Sequence, residues 1–227
     1  SDGEINPAMG LRGIRLLREY PDLLKRQLRA ILRSTKDGAA ARVAVPFVLD
    51  RKDIEMVHRS AESAREELRL EGFDVPNPVE VGAIIETPAA ALLGRDLIQL
   101  SDFVLIDLDS LAESLLMCER TSSHPYVFDR TREPHPVLLR AVRKLVNLAL
   151  SFEKELTVCG ESLVQIGLAQ LMVGIGVRRF AIRPALIREA HSMLSEMNPE
   201  TCGRIAEEVC RVGTAEELGD LLPTSWL

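Results

Sequence analysis

The chain has 227 residues, with 28 basic and 34 acidic side chains and a formal net charge of −6. That balance argues against nucleic-acid binding driven by overall charge, and no apolar run reaches the roughly 18 residues of a membrane span. With 46% hydrophobic and 27% charged residues the chain is expected to fold, and only 4% aromatics means an aliphatic core. The start lacks the basic and apolar parts of a signal peptide, and the four cysteines show no CxxC spacing. Both features set the expectation of a cytoplasmic chain with reduced thiols.

In chain order, residues 21–33 place Leu23, Leu24, Leu28, Ile31 and Leu32 at helical spacing, with Pro21 in the first turn. The apolar run 41–49 predicts a buried parallel strand, and 51–71 an amphipathic helix closed by Gly72. A strand over 79–86, a helix over 88–100, a strand over 103–107 and a helix over 111–119 follow. The polar stretch 120–136 is too long for a plain connector and predicts a loop with its own role. Then come a helix over 137–154, a strand over 155–160, a helix over 162–176, a strand over 180–182, and helices over 185–197 and 199–212. Strict alternation of five strands with helices implies right-handed crossovers and one α/β domain with a parallel sheet.

Reactive groups in such folds cluster after the carboxyl ends of strands. Here those ends carry Glu86, then Asp107, Asp109 and Ser110, then Cys159 and Glu161. Converging carboxylates suit a hard cation such as Mg²⁺, and a thiol beside them could give a proton or act as a nucleophile. Plainer roles stand beside these: Asp109 as a helix N-cap, Cys159 as a small core residue, Arg12 and Arg15 as a solvated helix face. Glu86 resists a plain role, because a buried glutamate needs a partner or a metal. His58 and His191 read as surface residues, while His124 and His135 lie in or beside the long loop.

The strings NPAMGLRGIR (6–15), QLRAILR, IIETPAAAL around Glu86 and TVCGE around Cys159 resemble the PEP-utilising enzymes. The nearest resemblance is to enzyme I of the bacterial sugar phosphotransferase system, with pyruvate phosphate dikinase more distant. It implies a (β/α)8 barrel of the TIM type, of which residues 1–227 form the carboxyl-terminal part and cover strands four to eight. Such a barrel binds phosphoenolpyruvate (PEP) and Mg²⁺ at its carboxyl rim. It passes the phosphoryl group to a histidine on a separate domain, leaving pyruvate, and works with a phosphocarrier protein as a homodimer. Carried over residue by residue, Arg12 and Arg120 are the arginines facing the phosphate. Glu86 is a Mg²⁺ ligand, and Cys159 is the acid that protonates the enolate.

The departures from the family pattern are local. Where the family has GTNDL, this chain reads Asp107, Leu108, Asp109, Ser110, Leu111. Asp109 therefore stands at the substrate-binding asparagine and is the remaining candidate for the second metal ligand, while Ser110 stands at the metal aspartate. The CGExAGD string breaks after Glu161, and Arg183 ends the last strand where a small polar residue is usual. Nothing here resembles the phosphohistidine domain or the strands carrying RTxDxGGDK. The resemblance thus implies a phosphotransferase for the whole protein and little transfer by this chain alone. The rival expectation is a degenerate paralogue that binds PEP, a similar acid or a protein partner as a regulator.

Overall fold

A computed structural model of the chain describes every residue except 1–2, 5, 8, 36–38, 76, 131–133, 165–166, 224–225 and 227. Five strands, β1 (Ala41–Val45), β2 (Val79–Ile85), β3 (Phe103–Asp107), β4 (Glu155–Cys159) and β5 (Phe180–Ala181), form one sheet in sequential order. Every pairing is parallel. This is the strand order of a (β/α) barrel, as expected.

Arg42 of β1 reaches across the amino end of the sheet to Glu155 of β4, to which it donates at 3.1 Å. The same guanidinium pairs with Glu80 of β2 at 2.8 Å and lies 4.1 Å from the Phe103 ring centroid. Arg179 also pairs with Glu155, so this charged cluster closes the amino end of the sheet.

Helices cover the sheet: α1 (Ile14–Glu19), α2 (Pro21–Ser34), α3 (Arg51–Leu70), α4 (Pro88–Leu92), α5 (Gly94–Leu100) and α6 (Leu108–Leu116). After them come α7 (Pro125–Arg130), α8 (Pro136–Ser151), α9 (Leu168–Ile175), α10 (Ile187–Ser195), α11 (Pro199–Val209) and α12 (Ala215–Leu221). The core is aliphatic: Val81, Ala83, Ile85, Val104, Ile106 and Val158 of the strands pack among Leu28, Ile54, Leu68, Leu97, Leu139 and Leu145 of the helices. Among the described residues no helix is long and apolar enough to cross a membrane.

Several boundaries differ from the periodicity. The helix expected over 88–100 is two, α4 and α5, joined at Leu93. Gly94 allows α5 to press against Leu145 of α8, whose methyl a Cβ would strike. The 120–136 stretch contains α7 and, at its end, His135, whose Nδ1 accepts from the Val137 N–H and caps α8, which starts at Pro136. The last strand is only two residues long. Of its successors, α10 begins later and ends earlier than the apolar spacing suggests, whereas α11 begins where expected and ends earlier. The short helix α12 was not expected, and α1 was expected only as the plain reading of Arg12 and Arg15 as a helix face.

Candidate active site

The sheet register sets the site. Asp107 pairs with Cys159 across β3 and β4, and Ile85 pairs with Ile106 across β2 and β3. Glu86, one residue beyond Ile85, therefore comes level with Asp107 and Cys159 at the carboxyl end. The expected rim is assembled.

Glu86 leaves β2 just before a capped helix: Thr87 Oγ1 accepts from Ala90 N–H, and Pro88 occupies the first turn of α4. Its side chain is only 7% exposed, and it accepts the Phe47 N–H at 2.7 Å. Burial raises the Glu86 pKa, with the Phe47 N–H opposing, Asp107 adding to the rise and Arg12 opposing. Phe47 follows β1 with φ at 59°, a left-handed conformation that side chains seldom adopt. That turn aims its amide at Glu86 and sets its partly buried ring under two guanidinium groups. Arg12 lies 4.8 Å and Arg15 5.9 Å from the ring centroid.

The segment carrying Arg12 is anchored independently. Ile14 is buried and donates its N–H to Pro46 O, while Gly13, at φ 54°, leaves room for the Phe47 ring. Arg18 pairs with buried Asp53 at 2.8 Å, pinning α1 to the start of α3. Arg15 is turned back, donating to Met9 O and Gly10 O, so of the two arginines Arg12 is the exposed one.

On β3 the helix cap is Asp107 and not Asp109. Asp107 Oδ1 accepts from Ser110 N–H and Oδ2 from Ser110 Oγ, both at 3.0 Å. Asp109 sits in the first turn of α6, 6% exposed, and serves a different segment. Its Oδ2 accepts the Glu161 N–H at 2.7 Å, and its Oδ1 accepts the Ser162 N–H at 3.3 Å and the Ser162 hydroxyl. Arg120 Nη1 lies 3.3 Å from Asp109 Oδ2. Arg183 pairs with Glu161 at 3.0 Å, and not with Asp107 or Asp109.

Cys159 Sγ donates to Ile106 O at 3.4 Å. Burial, followed by the charges of Asp107, Asp109 and Glu86, pushes the thiol up to about 12. At neutral pH it is a protonated thiol, suited to donating a proton and unsuited to nucleophilic attack.

Five residues picked from the sequence, Arg12, Glu86, Asp109, Arg120 and Cys159, thus lie on or beside one rim. The two residues expected to hold Mg²⁺ differ: Asp109 has both oxygens accepting from donors of the chain, Glu86 uses only Oε1, and the position of the second carboxylate holds Ser110. Among the described residues no three His, Cys, Asp or Glu side chains are grouped to hold a metal ion. Phe47 and Ser162 were missed. The positive φ of one and the long-range partner of the other leave no trace in local sequence. Of the two histidines expected at the surface, His191 is exposed, whereas His58 is half-buried with its Nε2 3.2 Å from Leu100 O. A cleft of about 1250 Å³ lies elsewhere, among Gln170, Arg188, Met193, Cys202 and Trp226.

A family model described as PEP-utilising enzyme, PEP-binding domain, matches residues 1–198. The chain belongs to that family. The phosphoenolpyruvate-protein phosphotransferase of Staphylococcus carnosus is 27% identical over 221 residues, covering 96% of this chain and 38% of that protein. The multiphosphoryl transfer protein of Xanthomonas campestris is 30% identical over 215 residues, covering 95% of this chain and 25% of that protein. The chain therefore spans well under half the length of these relatives. A citrate lyase from Burkholderia xenovorans superposes with a TM-score of 0.55 at 17% identity, over 87% of this chain and 66% of its own. That likeness bears on the fold alone.

Proposed function

We propose that this family member is the PEP-recognising part of a longer phosphoenolpyruvate–protein phosphotransferase. PEP lies on the carboxyl rim with its phosphate toward Arg12 and Arg120, whose planar forks match phosphate oxygens. The phosphoryl group leaves for a histidine outside these 227 residues, and the enolate that remains takes the Cys159 proton at C3. Pyruvate results, and water returns a proton to the thiolate. The observation that carries this reading is the placement of the Cys159 thiol, level with Glu86 and Asp107 at the same rim as Arg12 and Arg120. A phosphocarrier partner, a homodimer and a cytoplasmic setting belong to the same proposal and rest on the resemblance.

A second reading has one observation in its favour. Asp109 stands where the family's substrate-binding asparagine is expected and is fully occupied by the chain, which suits a regulator that binds PEP without turning it over. Two measurements on the full-length protein decide between them. Calorimetric titration with PEP is expected to saturate, with Arg12→Ala weakening it at least tenfold, about 1.4 kcal/mol. Incubation of PEP with the protein in D₂O, followed by NMR, should place deuterium in the pyruvate methyl, and Cys159→Ala should abolish it. No saturable PEP binding would remove both readings. Binding with no phosphoryl transfer from ³²P-labelled PEP to histidine would leave only the regulator.

A further inference from the structure

We propose that Asp109 is a positioning residue and not a cation ligand, and that this rim does not recruit a divalent cation. The proposal deepens the PEP-binding reading and rests on it for the ligand, though not for the metal.

The inference comes from where the carboxylate oxygens are spent. Asp109 Oδ2 is shared between the Glu161 N–H at 2.7 Å and Arg120 Nη1 at 3.3 Å. Its Oδ1 takes the Ser162 N–H at 3.3 Å and the Ser162 hydroxyl. Mg²⁺ needs a near-ideal octahedron of oxygens at about 2.0–2.1 Å. A guanidinium and an amide N–H directed at the same oxygen oppose a cation there by charge and by space.

The neighbouring carboxylates are little freer. Both oxygens of Asp107 are held by Ser110, through its N–H and its hydroxyl, as the cap of α6. Glu86 Oε1 takes the Phe47 N–H. Asp107 and Asp109 thus have both oxygens engaged, and Glu86 keeps only Oε2 without a partner among the described residues, a single oxygen where Mg²⁺ needs several. Ser110, which brings a hydroxyl and no charge, adds none of the negative charge a dication requires.

What Asp109 does instead is join two segments 52 residues apart in sequence. It fixes the turn after β4, which carries Cys159 and Glu161, to the first turn of α6. It also holds Arg120 over the rim. Positive charge for an anionic ligand then comes from guanidinium groups: Arg12 on the Phe47 ring, Arg120 on Asp109 and Arg183 on Glu161.

The test is a Mn²⁺ titration of the full-length protein followed by water-proton relaxation, which needs neither PEP nor turnover. The wild type and Asp109→Asn are expected to give the same relaxation enhancement at every Mn²⁺ concentration, and Glu86→Gln the same again. A saturable site lost in Glu86→Gln overturns the proposal. Ser110→Asp, which sets a second carboxylate against Asp107, is expected to bind Mn²⁺ at least tenfold more tightly than the wild type. A saturable Mn²⁺ site present in the wild type and lost in Asp109→Asn overturns the proposal. In calorimetry, PEP affinity should be equal in Mg²⁺ and in EDTA for the wild type, and several-fold weaker for Asp109→Asn in both buffers. A PEP affinity that rises with Mg²⁺ in the wild type and not in Asp109→Asn also overturns it. Failure of PEP to bind in either buffer refutes the substrate reading, while the relaxation result still decides the metal.

Discussion

Replacing Asp109 by alanine isolates the tie between α6 and the turn after β4. The substitution removes the acceptor of two backbone N–H groups, those of Glu161 and Ser162, and of the Ser162 hydroxyl. Ser162 and Asp109 are both buried, so water cannot fully replace the lost partner. An unsatisfied buried donor costs about 1–3 kcal/mol. The Glu161 amide is only partly buried and the hydroxyl can rotate, so the sum comes to about 3 kcal/mol. The Arg120 ion pair adds little, because the guanidinium is 46% exposed and screened by solvent. For a chain of this size, a loss of that magnitude lowers the melting temperature by roughly 6–12 °C. Urea unfolding followed by circular dichroism measures it directly, and Asp109→Asn, which keeps one acceptor, is expected to fall between. A loss below about 0.5 kcal/mol, the level of an ordinary surface change, would refute the claim that Asp109 holds this turn.

The remaining predictions concern the thiol, the buried glutamate and one helix contact. Cys159, pushed up to about 12, should react with iodoacetamide at pH 8 about a thousand times more slowly than an unperturbed thiol, and peptide mass spectrometry after timed quenching reads the rate. Labelling of Cys159 at the rate of a free thiol in native protein would contradict the burial argument. Glu86 has its pKa raised in the folded state, so its contribution to stability is greatest below the unfolded value and is lost as pH rises through the folded one. Glu86→Gln keeps an acceptor for the Phe47 N–H, and should therefore raise the melting temperature at pH 7 while giving no gain near pH 4. An equal effect at both pH values would point away from titration. In α9, a Cβ at Gly174 would overlap the Cys202 carbonyl of α11, whereas one at Gly203 would meet open space. Gly174→Ala should cost about 1–3 kcal/mol and Gly203→Ala should be neutral or stabilising, as compared by urea midpoints. Equal midpoints for the two variants would sink the close-packing explanation.

Much of this architecture was legible from local pattern. Continuous β-branched runs between amphipathic stretches specify buried parallel strands, and all five appear where those runs lie. Once strands are known, their carboxyl ends follow, and with them Glu86, Asp107 and Cys159. The strings around Arg12, Glu86 and Cys159 also sufficed for the family. Less was legible where elements are short. The helices α1 and α12 have only six and seven residues, too few for a period to declare itself, and the break at Leu93 depends on how close Gly94 brings α5 to α8.

The starting composition bounded the molecule without deciding its chemistry. Sequence alone determined an acidic, aliphatic α/β chain with its reactive residues gathered at one end of a parallel sheet. Only the tertiary structure decided how those residues are used, because hydrogen-bond partners are chosen by backbone direction and by neighbours far along the chain. Phe47 reaches Glu86 across 39 positions through a left-handed turn, and Asp109 reaches Glu161 across 52. A carboxylate one residue from a strand end could be a cap, a metal ligand or a substrate contact. Asp107 became the cap, and Asp109 became the clasp, because α6 turns the first toward its own amides and the second toward those of the next strand's loop.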